Sequence, residues 1–289
     1  RQHKIFVTGL ATGYTKLDEL TSGLQKAEFI IVAGRPGQGK TALALNLATH
    51  VGLEQKKAVA IFSLEMDRRS LLLRMLCAEA LADATKLRRG YLERPKYQDI
   101  IGAANRFVSA DIFIDDSRSL TTLELRSRAR RKASELKAKN KELSLVIIDY
   151  LQLLKYGERA ENRQQEVAEI SRSLKILAQD LNVPVMAMSQ LSRRPEERER
   201  SGRPQLADLR ESGSLEQDAD LVVMIYRPGL YKPNATPEEK AQAEIIIAKQ
   251  RNGPLDTIPM YFLNYCTKFV EREGQPGGSG SMEEVETIG

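Results

Sequence analysis

The chain has 289 residues, 42% of them hydrophobic, with no Trp, a net charge of +5 and two cysteines, Cys77 and Cys266, that stand in no CxxC spacing. This composition allows one large or two ordinary domains with an aliphatic core; it is compatible with a nucleic-acid partner, fits a reducing compartment and excludes a zinc ribbon. No apolar run approaches the ~18 residues of a membrane helix, and the opening RQHKIF lacks a signal peptide's apolar core, so the expectation is a soluble, cytoplasmic protein with no membrane partner.

In chain order, short apolar runs alternate with helical stretches. Residues 29–33 (FIIVA) predict a strand, and 41–50, with Leu43, Leu45, Leu47 and Ala48, a helix. Residues 58–64 (AVAIFSL) are a second strand, followed by a Leu/Ala/Met-rich helix over 69–84. Residues 112–114 (IFI) are a third strand. Thr121 with Glu124 forms a capping box that opens a long basic helix to about Lys139. Residues 145–148 (LVII) are a strand. A stripe of Val167, Ile170, Leu174, Leu177, Ala178 and Leu181 then makes 163–181 an amphipathic helix. Runs 183–188 (VPVMAM), 221–226 (LVVMIY) and 244–248 complete the set. These runs mostly lack polar alternation, as expected of strands buried on both faces, so the pattern is α/β with a mostly parallel sheet flanked by helices. Residues 258–263 and 268–270 read as a C-terminal antiparallel hairpin. Residues 1–272 form one unit. The flexible 273–289 (ending GQPGGSGSMEEVETIG) has linker composition, an artificial joint in one reading and a natural partner-binding tail in the other.

The strongest local signal is Gly34, Arg35, Pro36, Gly37, Gln38, Gly39, Lys40 and Thr41, which fits G-x-x-x-x-G-K-[ST] between a strand and a helix. Its glycines let backbone N–H groups wrap a phosphate at a helix N-terminus, with Lys40 on the β/γ-phosphates of ATP and Thr41 on Mg²⁺. Asp149 ends the LVII strand as the Walker B metal carboxylate, and Glu65 in SLEM is placed to activate water. Gln190 follows VPVMAMS; it is either a γ-phosphate sensor or an ordinary loop glutamine. Lys249 follows a strand as well, so all five features are expected on one sheet edge, where α/β folds bind ligands. Arg74 in the apolar LLLRMLC is either a structural salt bridge or a phosphate contact.

Residues 189–220 begin as an Arg/Glu/Pro-rich surface loop with Arg193, Arg194, Arg198, Arg200 and Arg203, whose charges glutamates partly offset. Within it, the Arg, Ser and Gly residues of RESGS (210–214) suit a nucleic-acid phosphate backbone held without base stacking. In AEIIIAKQRNGP, Lys249 and Arg251 are two apart and so share one strand face. They are either a solvated strand end or face an anion, and Asn252-Gly253 reads as a tight turn into the next strand.

Together, the P-loop, SLEM, IIDYLQLL, SQLSR, LRESGSLEQDAD and KQRNGP, in this order across nearly the whole chain, resemble the C-terminal RecA-like motor domain of DnaB-type replicative helicases. The resemblance implies a RecA-like P-loop NTPase fold and an ATP- and Mg²⁺-dependent hexameric 5′-to-3′ DNA helicase. It implies Lys40 and Thr41 as phosphate and metal contacts, Glu65 as catalytic carboxylate, Asp149 as Walker B and Gln190 as sensor. It tips Arg74 toward the γ-phosphate, makes Arg210, Glu211 and Gly213 DNA contacts, and makes Lys249 and Arg251 fingers entering a neighbour's site. Primase and a helicase loader are partners of the family, but the collar domain that binds them has no counterpart in these 289 residues. The competing readings are a RadA-like recombination ATPase, whose zinc module and protease-like domain are missing here, and a RecA-like switch ATPase without DNA.

Overall fold

The computed structural model describes residues 7–157, 162–191 and 202–272. The side chains of 210–212 lie outside this description, as do the predicted 273–289 tail and Arg193, Arg194, Arg198 and Arg200.

The apolar runs form strands β1 (Phe29–Gly34), β2 (Ala58–Ser63), β3 (Ile112–Asp115), β4 (Leu143–Asp149), β5 (Val185–Gln190) and β6 (Leu221–Tyr226), then β7 (Gln242–Gln250), β8 (Thr257–Leu263) and β9 (Lys268–Glu271). They make one nine-stranded sheet in the order β3-β2-β4-β5-β1-β6-β7-β8-β9. The pairings from β3 to β6 are parallel, and those from β6 to β9 are antiparallel. The helices are α1 (Thr15–Thr21), α2 (Lys40–Thr49), α3 (Arg68–Ala80), α4 (Ala84–Arg89), α5 (Arg94–Val108), α6 (Thr122–Lys137), α7 (Arg163–Leu181), α8 (Gly213–Asp218) and α9 (Pro237–Ala241).

Every residue of β1, β2 and β6 is buried, because helices cover both sheet faces. On one face Leu43 and Leu47 of α2 and Leu71 and Met75 of α3 pack on Ile30, Val32 and Ile61. On the other, Leu125 and Ala129 of α6 and Ile170, Leu174 and Leu177 of α7 pack on Ile31, Val146 and Ile148. The apolar stripe of α7 meets the sheet as its spacing requires. The Thr121–Glu124 capping box is formed, with Glu124 N–H donating to the Thr121 hydroxyl at 3.2 Å. Arg126 and Arg130 of α6 pair with Asp180, and Arg128 with Asp115, so this basic helix is engaged in surface ion pairs.

Several expectations change. The 41–50 helix continues as a π turn through Glu54. The helix predicted over 69–84 stops at Leu81, whose left-handed backbone ends α3, and Asp83 caps α4. Strand β7 does alternate: Ala243, Ile245 and Ile247 are buried while Glu244, Ile246 and Ala248 are partly exposed, because it belongs to the antiparallel side. Asn252-Gly253 is not a two-residue hairpin turn. Residues 251–256 form the β7–β8 connection, and Gly253 lacks the positive φ of a type I′ turn. The Gln250 side chain occupies the inside of that bend, donating to the Leu20 carbonyl at 3.1 Å.

Candidate functional site

Residues 34–41 link β1 to α2 with left-handed backbone at Gly37 (φ 77°) and Gly39 (φ 101°), which glycine adopts without strain. A Cβ on Gly37 would meet nothing within 4 Å, so that side of the loop is open. A Cβ on Gly39 would press on Phe269 at 3.0 Å, because the underside of the loop rests on the Phe262–Phe269 ring pair of the β8–β9 hairpin. Gln38 turns inward, donating to the Tyr231 hydroxyl at 3.1 Å, so it leaves the cradle clear. The first N–H groups of α2 have no intrahelical acceptor and no side chain caps them, the arrangement of a helix N-terminus suited to an anion.

Lys40 Nζ donates to the Gly34 carbonyl at 2.8 Å and the Arg35 carbonyl at 3.2 Å. Burial lowers its pKa to about 8; Arg35 adds to this, while Asp149 and Glu65 oppose it. The Thr41 hydroxyl reaches over β5 to the Asp149 carboxylate on β4 and donates to it at 2.8 Å. A hydroxyl and a carboxylate meeting beside a phosphate cradle are a donor set suited to Mg²⁺. Burial raises the Asp149 pKa, and so does nearby Glu65; Thr41, Lys40 and Arg74 work against the rise. Glu65 lies exposed just after β2, in a bend held by the Ser63 hydroxyl donating to the Met66 carbonyl at 2.7 Å. Strands β2 and β4 are paired to their ends, Ser63 opposite Asp149, which holds Glu65 close enough for its charge to act on Asp149.

Gln190 ends β5 opposite Gly34 of β1 and is exposed at the same edge. Arg74 lies half-buried in α3. Among the described residues no ion pair or hydrogen bond engages it, so the salt-bridge reading is not supported, and its charge is felt by Asp149. One buried cation escaped sequence reasoning. Arg227 follows β6 directly, which places it on this edge, and the position alone was the available signal. It donates to the carbonyls of Gly37 at 3.3 Å and Lys240 at 3.0 Å, and stacks 4.3 Å from the Phe262 ring. Burial lowers its pKa to about 10.

Lys249 does not share this edge, contrary to expectation. Strand β7 is antiparallel, so its C-terminal end returns beside the start of β6: Lys249 opposes Val222 and Gln250 opposes Leu221. Val222 is in register with Ile31, three residues short of Gly34. From the P-loop this is ~10 Å back along the strands and ~10 Å across them. A bulge at Ala248 precedes the pair. Lys249 and Arg251 do share a face, and it is engaged within this chain: Arg251, half exposed, pairs with the Asp220 carboxylate at 3.3 Å. Lys249 Nζ donates to the carbonyls of Glu216 at 2.6 Å, Ala219 at 2.7 Å and Gln217 at 3.3 Å, capping the C-terminus of α8. Arg251 donates to the Gln217 carbonyl at 3.0 Å.

The DNA candidates lie on the segment leading to that cap. Arg203 pairs with Glu244 beside the end of β6, and the chain then crosses the sheet face with Leu209 and Leu215 buried against α7. The backbone of Arg210 and Glu211 is in a 3₁₀ turn (Leu206–Ser212); their side chains lie outside the described residues. Gly213 is the first residue of α8, exposed, with open space where a Cβ would be. Among the described residues no helix is long and apolar enough to cross a membrane.

A doubly wound sheet, a glycine cradle at a helix N-terminus and a Thr–Asp pair beside it define a P-loop nucleoside-triphosphate-binding protein. Residues 9–271 match the DnaB-like helicase C terminal domain family, and the chain belongs to that family. It is 48% identical over 268 residues to the replicative DNA helicase DnaB of Geobacillus stearothermophilus, covering 92% of this chain and 57% of that one. It is 46% identical over 268 residues to the replicative DNA helicase DnaC of Bacillus subtilis, with the same coverage. The chain thus spans just over half the length of these relatives. Among solved structures it superposes on an isolated ATPase domain with a TM-score of 0.86 at 35% identity, covering 93% of each chain. It also superposes on a DnaB-like replicative helicase described with its primase interactions, with a TM-score of 0.85 at 36% identity, covering 92% of this chain and 62% of the other. The fold is therefore RecA-like, and the family match places the chain among DnaB-like domains rather than RadA-like ones.

Proposed function

We propose that this chain is the ATP-hydrolysing motor of a replicative DNA helicase that works as a ring, hexameric as the family resemblance implies. Its catalytic sites would form between copies. The observation that carries this reading is the separation of two half-sites on one sheet. Lys40, Thr41, Glu65, Asp149 and Gln190 gather at one edge, while Lys249 and Arg251 are held on the far side of β6 and cannot reach their own cradle. A cation pair remote from its own P-loop is useful to ATP chemistry only on a neighbour's phosphates.

In this reading the α2 N-terminus and Lys40 bind the phosphates, Thr41 and Asp149 hold Mg²⁺, and Glu65 accepts a proton from the attacking water. Mg²⁺ held by Thr41 and Asp149 would supply positive charge to offset that of the phosphates. Gln190 and Arg74 read the γ-phosphate from the same edge, and Arg251 of the next copy completes the site. Of the cation pair, Lys249 has its three protons on the carbonyls of Glu216 and Gln217 in α8 and of Ala219 just after it, whereas Arg251 is half exposed and better placed to swing out. Single-stranded DNA would run along Arg210, Glu211 and Gly213, one short helix away from the cation pair, which ties DNA grip to the interface. The relatives named as replicative helicases support this substrate. The primase interaction of the structural neighbour supports a primase partner for the longer protein, and a loader is the further family partner.

The test is steady-state ATP hydrolysis with and without oligo-dT, together with solution mass in an ATP analogue. The expected result is DNA-stimulated turnover and a mass several times that of one chain. Turnover and binding indifferent to DNA would sink the motor reading.

A further inference from the structure

We propose that Gln152 is a positioning residue that fixes Gln190 relative to the metal side of the site, an inference that rests on reading Gln190 as the γ-phosphate sensor. Strands β4 and β5 pair only as far as Ile148 and Ala187, and β4 ends one residue later, at Asp149, which still pairs with Ser63 of β2 on its other side. Strand β5 runs on to Gln190. Its other neighbour, β1, secures one side there: Leu191 N–H donates to the Gly34 carbonyl at 3.3 Å, and Arg35 donates to the Leu191 carbonyl at 3.1 Å. The peptide groups of Gln190 face the opposite way, into the gap β4 has left.

Gln152 fills that gap from the short 3₁₀ turn (Leu151–Leu153) after Asp149. Its Oε1 accepts the Gln190 N–H at 3.3 Å, and its Nε2 donates to the Gln190 carbonyl at 3.2 Å and the Ser189 hydroxyl at 3.0 Å. A backbone N–H can only donate and a carbonyl only accept, so the orientation of the carboxamide is determined. The side chain acts as a detached peptide unit that continues the parallel ladder across the missing strand. The Gln152 main-chain carbonyl in turn accepts from Arg163 at the start of α7, which anchors the turn itself. The sensor backbone is therefore held by the P-loop strand on one side and by the turn carrying Asp149 on the other. Movement of Asp149 relative to the phosphates passes to Gln190 through one carboxamide. No other side chain among the described residues bonds the Gln190 backbone.

The test is a double-variant cycle in single-strand-stimulated ATPase assays of the full chain, with thermal midpoints recorded alongside. Gln152→Met keeps the length and removes both bonding functions. The expected result is a kcat lower by about 10–100-fold, the scale of a misplaced catalytic group, with KM for ATP shifted by less than ~2-fold. Adding Gln152→Met to Gln190→Ala should cost nothing further, because two residues acting as a unit are not additive. Gln152→Glu, which keeps the acceptor but loses the donor, should fall between wild type and Gln152→Met. Multiplicative losses in the double variant, or an unchanged kcat in Gln152→Met, would overturn the proposal. A Gln190→Ala variant with unaltered turnover would instead remove the sensor assignment itself, and that outcome is read from the single variant alone.

Discussion

The Arg251 guanidinium lies 3.3 Å from the Asp220 carboxylate, immediately before β6 and on the side of the sheet away from its own P-loop. Asp220 is 5% exposed and also accepts from Lys175 at 2.6 Å and from Phe29 N–H at 2.8 Å. Arg251 is thus tethered to a buried anchor while half of its side chain stays accessible. This arrangement suits a group that must be presented to a neighbouring molecule at a defined place.

Arg251→Ala should bind nucleotide normally and lose hydrolysis by about 10³-fold or more, the scale of arginine fingers in related phosphoryl transfer. Lys249→Ala should lose hydrolysis too, and it also uncaps α8. Mixing Arg251→Ala subunits with Lys40→Ala subunits should restore part of the activity, since each supplies the half-site the other lacks. Absence of any recovery across mixing ratios would argue against action between subunits.

The low Lys40 pKa predicts proton uptake. Burial holds it at about 8 without nucleotide, and phosphate charge must raise it on binding. At pH 8 to 9 nucleotide binding should therefore take up protons, and affinity should fall as pH rises past 8. For stability the sign is opposite. The unfolded chain keeps this proton up to about pH 10.4 while the folded chain releases it earlier, so this group stabilises the fold increasingly as pH climbs through that window. Calorimetric titration in buffers of differing ionisation heat measures the uptake; equal apparent enthalpies in all of them would contradict it.

Asp149→Asn preserves shape and removes the charge that would hold Mg²⁺. Fluorescent ATP analogues should still bind, but the magnesium needed for half-maximal hydrolysis should rise by at least ~10-fold, as expected for lost metal support. In the wild-type chain, burial raises the Asp149 pKa from its ordinary value. Acidification should therefore protonate it, and raise the magnesium requirement, at a higher pH than for an exposed aspartate. A magnesium titration indistinguishable from wild type would remove Asp149 from the metal site.

Arg210→Ala should weaken oligo-dT binding and reduce the slope of log affinity against log salt by about one. An unchanged slope would take Arg210 off the DNA path.

Much of the nucleotide half-site was legible in the linear order. A glycine motif between an apolar run and a helix, and polar residues placed just after other apolar runs, place Lys40, Thr41, Glu65, Asp149 and Gln190 together once the sheet is parallel. Parallel topology follows from alternation of strands and helices and from strands without polar alternation. Gln152 was visible only as a polar letter inside IIDYLQLL. Its meaning depends on β4 ending two residues before β5 needs a partner, a register relation across two distant segments. Arg227 likewise gains its place only when the hairpin carrying Phe262 folds beneath the P-loop.

The cation pair shows the division most sharply. Two residues apart on a strand, Lys249 and Arg251 had to share a face, because side chains alternate along extended backbone. The amino-acid order alone therefore determined that the two charges lie on one face. It could not determine where. Strand direction is set by pairing with β6 and by how 227–241 returns the chain, and those are contacts between segments far apart in sequence. That reversal carries the pair to the edge opposite its own nucleotide cradle, against the carbonyls ending α8. Local spacing made a pair of cations; only the tertiary structure made them remote from their own P-loop.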